Sequence, residues 1–147
     1  MIGWAGPEDA EALIALYRHL VAEAAEADAA TTRANLAALA QIPGSGVLVK
    51  RAGDRIVASV TLAVIPNLTR GGRPFGVIEN VVTHADHRRQ GHGAAVLRAA
   101  IDAAWAARCY KILLATGSTE VAAHRFYESM GFDRGKTAYR LRAPDHP

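Results

Sequence analysis

A chain of 147 residues, half of them apolar, can enclose one hydrophobic core, so a single domain is expected. The single cysteine, Cys109, excludes an intramolecular disulfide and a cysteine-based zinc cluster, and no apolar run approaches the roughly 20 residues of a membrane span. A formal charge of +3 suits an anionic small ligand, without the basic face and interleaved aromatics of a nucleic-acid binder.

Ile2 to Ala5 reads as a short first strand. The start Met1-Ile2-Gly3-Trp4 lacks the charged opening and apolar stretch of a signal peptide, which gives a cytoplasmic expectation. Gly6-Pro7-Glu8-Asp9 begins a helix, with proline at its first position and acids in its first turn. Leu13, Leu16, Tyr17, Leu20, Val21 and Ala24 form its apolar face and carry it to between Ala25 and Asp28. A second helix is predicted from Thr32, as N-cap, to Ala40, and Ile42-Pro43-Gly44-Ser45-Gly46 breaks it. Val47 to Arg51 and Arg55 to Ile65 are strand patterns joined by the turn Ala52-Gly53-Asp54. Pro66 to Pro74 is a polar loop, and Phe75 to Thr83 is the next strand. Val96-Leu97, Ala100-Ile101 and Ala104-Trp105 repeat with helical spacing up to about Arg108, and Lys111 to Thr116 is an apolar strand. Strand, helix and strand here make a βαβ unit whose strands are expected to be parallel neighbours. Gly117-Ser118-Thr119 caps a fourth helix to Met130, Gly131 ends it in a left-handed cap, and Phe132 packs back on the last turn. Thr137 to Leu141 reads as a closing strand, and the tail from Arg142 to Pro147 as frayed.

The stretch from Asp86 to Ala95 joins the strand Val77 to Thr83 to the helical repeat. A helix start leaves backbone N–H groups unpaired and carries roughly half a positive charge. Glycines there admit a ligand to the backbone and arginines add charge, so the stretch reads as a phosphate or pyrophosphate site. A Walker loop ends in Gly-Lys-Ser/Thr, whereas this chain has Gly91-His92-Gly93-Ala94. A dinucleotide fingerprint needs a third glycine where Val96 stands and an acid at the next strand end, which Glu120 does not occupy. What remains is Arg88-x-x-Gly91-x-Gly93 at a strand-to-helix junction. The plainer reading of Arg88 and Arg89 is a pair of surface arginines.

This pattern resembles motif A of the GNAT superfamily of acyl-CoA N-acyltransferases: Val81-Val82-Thr83 followed by Arg88-Arg89-Gln90-Gly91-His92-Gly93-Ala94. Arg125 to Phe132 resembles the family's motif B, with Phe126-Tyr127 and Gly131-Phe132 in its spacing. The order of helices and strands from Met1 to Leu141 is also similar. Val77 to Val81 and Cys109 to Leu114 are similar to glucosamine-phosphate N-acetyltransferases, and His124 to Tyr127 to aminoalkylphosphonate acetyltransferases. The resemblance implies one α/β domain over residues 1–147. Its sheet is mixed and mostly antiparallel, with a splayed central parallel strand pair and about four helices.

The resemblance also implies a reaction. Acetyl-CoA would donate an acetyl group to a primary amine of a small molecule, such as an amino sugar, amino acid or aminophosphonate, by direct attack in a ternary complex. Its pyrophosphate would rest on the loop Arg88 to Ala94, with amides from Arg89 onward, and its pantetheine arm along Val81, Val82 and Thr83. The acceptor amine needs a base, because free amines are mostly protonated at pH 7. Glu79 is the candidate, since a carboxylate inside an apolar strand is costly without a purpose. Burial there would raise its pKa toward neutrality. Asn80 stands where glucosamine-phosphate enzymes have the second acid of a pair. Tyr127 is the candidate acid for the departing thiolate, and a backbone donor near Asn80 or Val81 would meet the oxyanion. Glu120 replaces the asparagine that many relatives place before motif B, so no cofactor contact is assigned to it; Ser118 or Thr119 would take over that contact.

Plainer roles stand beside these. Glu79 pairs with an arginine of the Arg70 to Arg73 loop, Tyr127 is a core tyrosine, and His84, His87, His92 and His124 are solvated. Cys109 packs rather than attacks, and Trp4 and Trp105 serve core or dimer packing. Arg70 and Arg73 either meet an acidic amine substrate or belong to a mobile solvated connection. No metal, membrane or nucleic acid is expected, and the resemblance implies a homodimer. The alternative functions are acetylation of a protein N-terminus or lysine, and a non-catalytic acyl-CoA-binding module.

Overall fold

Gly53 turns the chain at φ 57°, a left-handed conformation that costs glycine no Cβ clash. In the computed structural model, which describes residues 1–145, this turn joins β2 (Gly46–Ala52) to β3 (Arg55–Ile65) as an antiparallel hairpin closing at Ala52 and Arg55. β1 (Ile2–Trp4) pairs antiparallel with β2, and β4 (Phe75–Thr83) antiparallel with β3. β5 (Ile112–Leu114) runs parallel to β4, giving a mixed sheet in the order β1-β2-β3-β4-β5. The expected βαβ unit is present: α3 (His92–Ala106) links the two parallel neighbours.

Strand alternation sorts the core onto two faces. On one, Val47, Val49 and Val82 pack with Leu13 and Leu16 of α1 (Ala10–Tyr17) and Leu36 of α2 (Ala29–Ala40). α3 packs against β2, β3 and β4, burying Val96, Leu97, Ala100, Ile101 and Ala104. The described residues form two compact parts, Met1–Leu114 and a second that begins at Ala115. Among them no helix is long and apolar enough to cross a membrane.

Several boundaries differ from the sequence expectation. α1 stops at Tyr17, well short of Ala25 to Asp28. Its periodicity continues, but Leu20 and Val21 stay 39% and 54% exposed. An apolar face without a surface to bury against does not hold a helix, and the ladder tightens into bonds from His19 to Leu16 and Leu20 to Tyr17. α2 starts at Ala29 rather than after a Thr32 cap. Asp28 is the cap: its carboxylate accepts from the Thr31 N–H at 2.8 Å, a stronger capping group than threonine. Thr32 is buried in the first turn, its hydroxyl donating to the Asp28 carbonyl.

The parallel pair lies at the sheet edge rather than its centre, because residues 137–141 form no strand. Tyr139 and Leu141 are 96% and 99% exposed, so the segment buries too little apolar area to hold a ladder. β5 is also shorter than Lys111 to Thr116. In the second part, α4 spans Val121–Ser129, later than the Gly117-Ser118-Thr119 start and short of Met130. Its predicted ending is present: Gly131 has φ 96°, the Phe132 N–H donates to the Tyr127 carbonyl, and the two rings meet edge to face. Residues 142–145 of the expected frayed tail are exposed and irregular, and 146–147 lie outside the described residues.

Candidate active site

β4 is bent in its middle by one extra residue. Thr61 of β3 faces Glu79, but Ser59 faces Val82, so β4 carries the surplus. Asn80 absorbs it at φ 53°, a region that asparagine tolerates better than most residues. Such a bulge interrupts the ladder and re-aims the backbone. Nothing in the apolar pattern announces it except the asparagine itself. The ladder to β5 ends at Ile78 and Leu114. Among the described residues, Glu79 to Thr83 have no strand partner on that side. This is the open edge that an extended ligand needs for strand-like pairing.

A cavity of about 380 Å³ lies between this part of the sheet and the two helices α1 and α2. Val47, Thr61 and Asn80 line its sheet side; Leu13, Tyr17 and Leu36 are among the helix-side residues. Burial pushes the Tyr17 phenol up, against the opposing pull of the Ser59 and Thr61 hydroxyls. The Ser59 Oγ is buried and without a hydrogen bond, so Tyr17 lies near it without reaching bonding geometry.

Glu79 sits opposite Thr61, on the sheet face that carries the cavity. It is exposed, not buried as its apolar strand suggested. On the β5 side, pairing stops at the preceding residue, so no strand flanks it there. Among the described residues it pairs with no arginine.

The loop after β4 is braced before it can cradle anything. His84 continues the strand, its N–H donating to the Val57 carbonyl, and its Nδ1 accepts from the Asp86 N–H at 3.2 Å. Arg88 is occupied: Nε reaches the Thr83 carbonyl at 3.4 Å and Nη2 the His19 carbonyl at 3.3 Å. Arg89 and Gly91 then take φ 59° and 79°, and Gly91 is the N-cap of α3. Among the described residues, no backbone acceptor meets the amides of Arg89 to Ala94. A Cβ on Gly91 would touch nothing within 4 Å. Unpaired amides, an exposed Arg89 and open space fit an anion such as a diphosphate.

Three of the histidines read as solvated belong to a contiguous row instead. Ring centroids of His19 and His84 are 4.0 Å apart, His84 and His87 5.5 Å, and His87 and His92 5.8 Å. Burial, and then the nearby His19 charge, hold the His84 pKa below its ordinary value. His19 is not legible as a partner in the sequence, because it sits just after α1, far from His84 along the chain.

Arg73 and Arg70 serve the other end of α3. Arg73 donates to the carbonyls of Arg108 and Cys109 at 3.2 and 3.1 Å, and Arg70 lies 5.6 Å from the centre of the Tyr110 ring. Neither lines the cavity. Cys109 is buried, and burial pushes its thiol up, in keeping with packing rather than nucleophilic use. Trp4 and Trp105 are 47% and 50% exposed, so neither is a core residue. Tyr127 is half-buried on α4, between the rings of Phe126 and Phe132. Among the described residues, no group of His, Cys, Asp and Glu is placed to hold a metal ion.

Comparison with known proteins agrees with this layout. The chain matches the Acetyltransferase (GNAT) family over residues 13–132. It is 36% identical over 87 residues to the glucosamine 6-phosphate N-acetyltransferase of Trypanosoma brucei brucei, covering 59% of this chain and 57% of that protein. This chain therefore spans little more than half the length of that relative. The solved structure of a protein from Agrobacterium tumefaciens str. C58 is 40% identical, with a TM-score of 0.90, over 97% of this chain and 99% of that one. An acetyltransferase of Trypanosoma brucei is 29% identical, with a TM-score of 0.82, over 97% and 99% of the two chains. With its bulged β4, open strand edge and glycine-rich helix start, the chain belongs to the GNAT acetyltransferase family.

Proposed function

We propose that the protein transfers an acetyl group from acetyl-CoA to a primary amine of a small molecule, by direct attack in a ternary complex. One observation carries the reading: a single stretch of chain, Glu79 to Ala94, joins a cavity-lining bulge to an unpaired amide cradle. The amides of Arg89 to Ala94 would hold the diphosphate, with Arg89 adding charge. The open edge at Val81, Val82 and Thr83 would receive the pantetheine arm. That arrangement directs the thioester to the bulge, where a backbone N–H of Asn80 or Val81 would stabilise the oxyanion.

The amine nitrogen attacks the thioester carbonyl carbon, a C–N bond forms, and the C–S bond breaks. The amine proton leaves to Glu79, directly or through water, as its exposure allows. Tyr127 supplies the proton that the departing thiolate takes. Holding amine and thioester together provides much of the rate.

The cavity volume of about 380 Å³ suits an amino sugar or amino acid. The relative named for glucosamine 6-phosphate supports a small amine acceptor. The test is thiol release from acetyl-CoA across a panel of small amines and N-terminal peptides. Turnover of small amines is expected. Acetyl-CoA binding without release on any amine would overturn the reading in favour of a non-catalytic binding module.

A further inference from the structure

The cavity between α1, α2 and β4 has one cation and one anion in its lining, Arg18 and Glu26. They are bonded to each other. The Arg18 guanidinium grips both oxygens of the Glu26 carboxylate, Nε to Oε1 at 2.5 Å and Nη2 to Oε2 at 3.1 Å. Both side chains are about half exposed, at 60% and 48%. An ion pair so open to water adds little to stability, and a competing oxyanion can replace its acidic half at small cost. A guanidinium fork is matched in plane by a carboxylate or a phosphate. The rest of the wall is apolar or neutral, with Tyr17, Thr32, Asn35, Thr61 and Asn80 as polar groups. Any anionic group that enters this cavity therefore has one cation to meet. Arg70 and Arg73, the arginines that the sequence offered for an acidic substrate, are engaged at the end of α3.

We infer that Arg18 selects an acceptor carrying an oxyanion, a phosphate monoester or a carboxylate, together with its amine. Glu26 is the internal stand-in for that oxyanion. It holds the guanidinium in the cavity until the acceptor displaces it, and the freed carboxylate then lies in the same cavity as the acceptor's ammonium group. This specificity role rests on the proposed acetyl transfer and adds the class of acceptor to it.

The test pairs binding with turnover. Glucosamine 6-phosphate, glucosamine and serine are titrated calorimetrically into the CoA-bound protein and assayed for thiol release from acetyl-CoA. The wild type is expected to bind at least one oxyanion-bearing amine on the order of tenfold more tightly than glucosamine, the worth of a hydrogen bond to a charged group. Which of the phosphate and the carboxylate is preferred identifies the oxyanion. Arg18→Gln is expected to bring that ratio close to one, Arg18→Lys to restore part of it, and Glu26→Gln to tighten binding by removing the competitor. Circular dichroism checks that the variants keep the fold, and the ratio is read within each folded variant. A wild type that does not distinguish glucosamine from the anionic amines overturns the inference, as does a preference that survives Arg18→Gln. Thiol release without Arg18 dependence removes this inference and leaves acetyl transfer standing. Arg18-dependent binding without thiol release on any amine does the reverse.

Discussion

Asn80 is the residue on which the donor and acceptor sides of the proposed site depend, since it both bends β4 and lines the cavity. Its left-handed backbone makes the bulge testable apart from catalysis. Asn80→Val is expected to destabilise the fold by about 1–2 kcal/mol, the cost of a β-branched side chain at positive φ, while Asn80→Gly stays near the wild type. Urea unfolding measures both. Glu79 faces water, and its proposed service as base is tested by substitution. Glu79→Gln is expected to lower kcat/KM on the order of tenfold to a hundredfold, the lower range for a positioned base, with the affinity for acetyl-CoA retained. Tyr127→Phe is expected to lower kcat by a similar factor, on the order of tenfold or more, with its loss relieved for donors whose thiol leaves more easily. Intact turnover in either variant assigns the proton transfer elsewhere.

At the scale of elements, the turn that leads from β4 into α3 depends on one neutral imidazole. His84 Nδ1 accepts from the Asp86 N–H, and a protonated ring cannot accept there. His19, His87 and Arg55 add repulsion to burial, while Asp86 alone opposes them. In the unfolded chain His84 takes its proton near the ordinary value of 6.5; in the fold it does so only at lower pH. Between the two, the unfolded state binds more protons, so stability falls as pH drops through about 6.5 and levels off below the folded value. Thermal unfolding followed from pH 7.5 to 5 is expected to show this decline, and His84→Asn, which keeps a capping acceptor without a titrating ring, to flatten it. The two ends of α3 show how differently two arginine pairs in one sequence are used. Arg88 braces the turn and leaves Arg89 exposed over the cradle. Arg73 holds the carbonyls of Arg108 and Cys109, just past the far end of the helix.

For the whole molecule, the sheet is held from both faces, and Leu13 is one of the fully buried side chains that join it to α1 and α2. Leu13→Ala is expected to cost about 2–5 kcal/mol, from lost burial and the cavity left behind, read as a drop in the urea midpoint. Most of the architecture was legible in the chain because its signals are local. The Gly53 turn, the strand from Phe75 to Thr83, the α3 repeat and the Gly131 ending follow from periodicity and from glycine at positive φ. The two motifs, at Arg88 to Ala94 and Phe126 to Phe132, marked the family for the same reason: each is a short contiguous pattern. What failed was what depends on a distant neighbour. α1 kept its apolar rhythm past Tyr17 but lost the surface it would have covered. Residues 137–141 alternate like a strand and find no ladder. Glu79 looked buried from its own strand, and in the fold it is exposed. The sequence by itself determined most of the elements and the family, because backbone preferences and motif chemistry act over a few residues. Tertiary structure alone decided that β4 bulges at Asn80, that His19 joins the histidine row, and that Arg18 and Glu26 share one cavity, because each joins residues that only folding brings together.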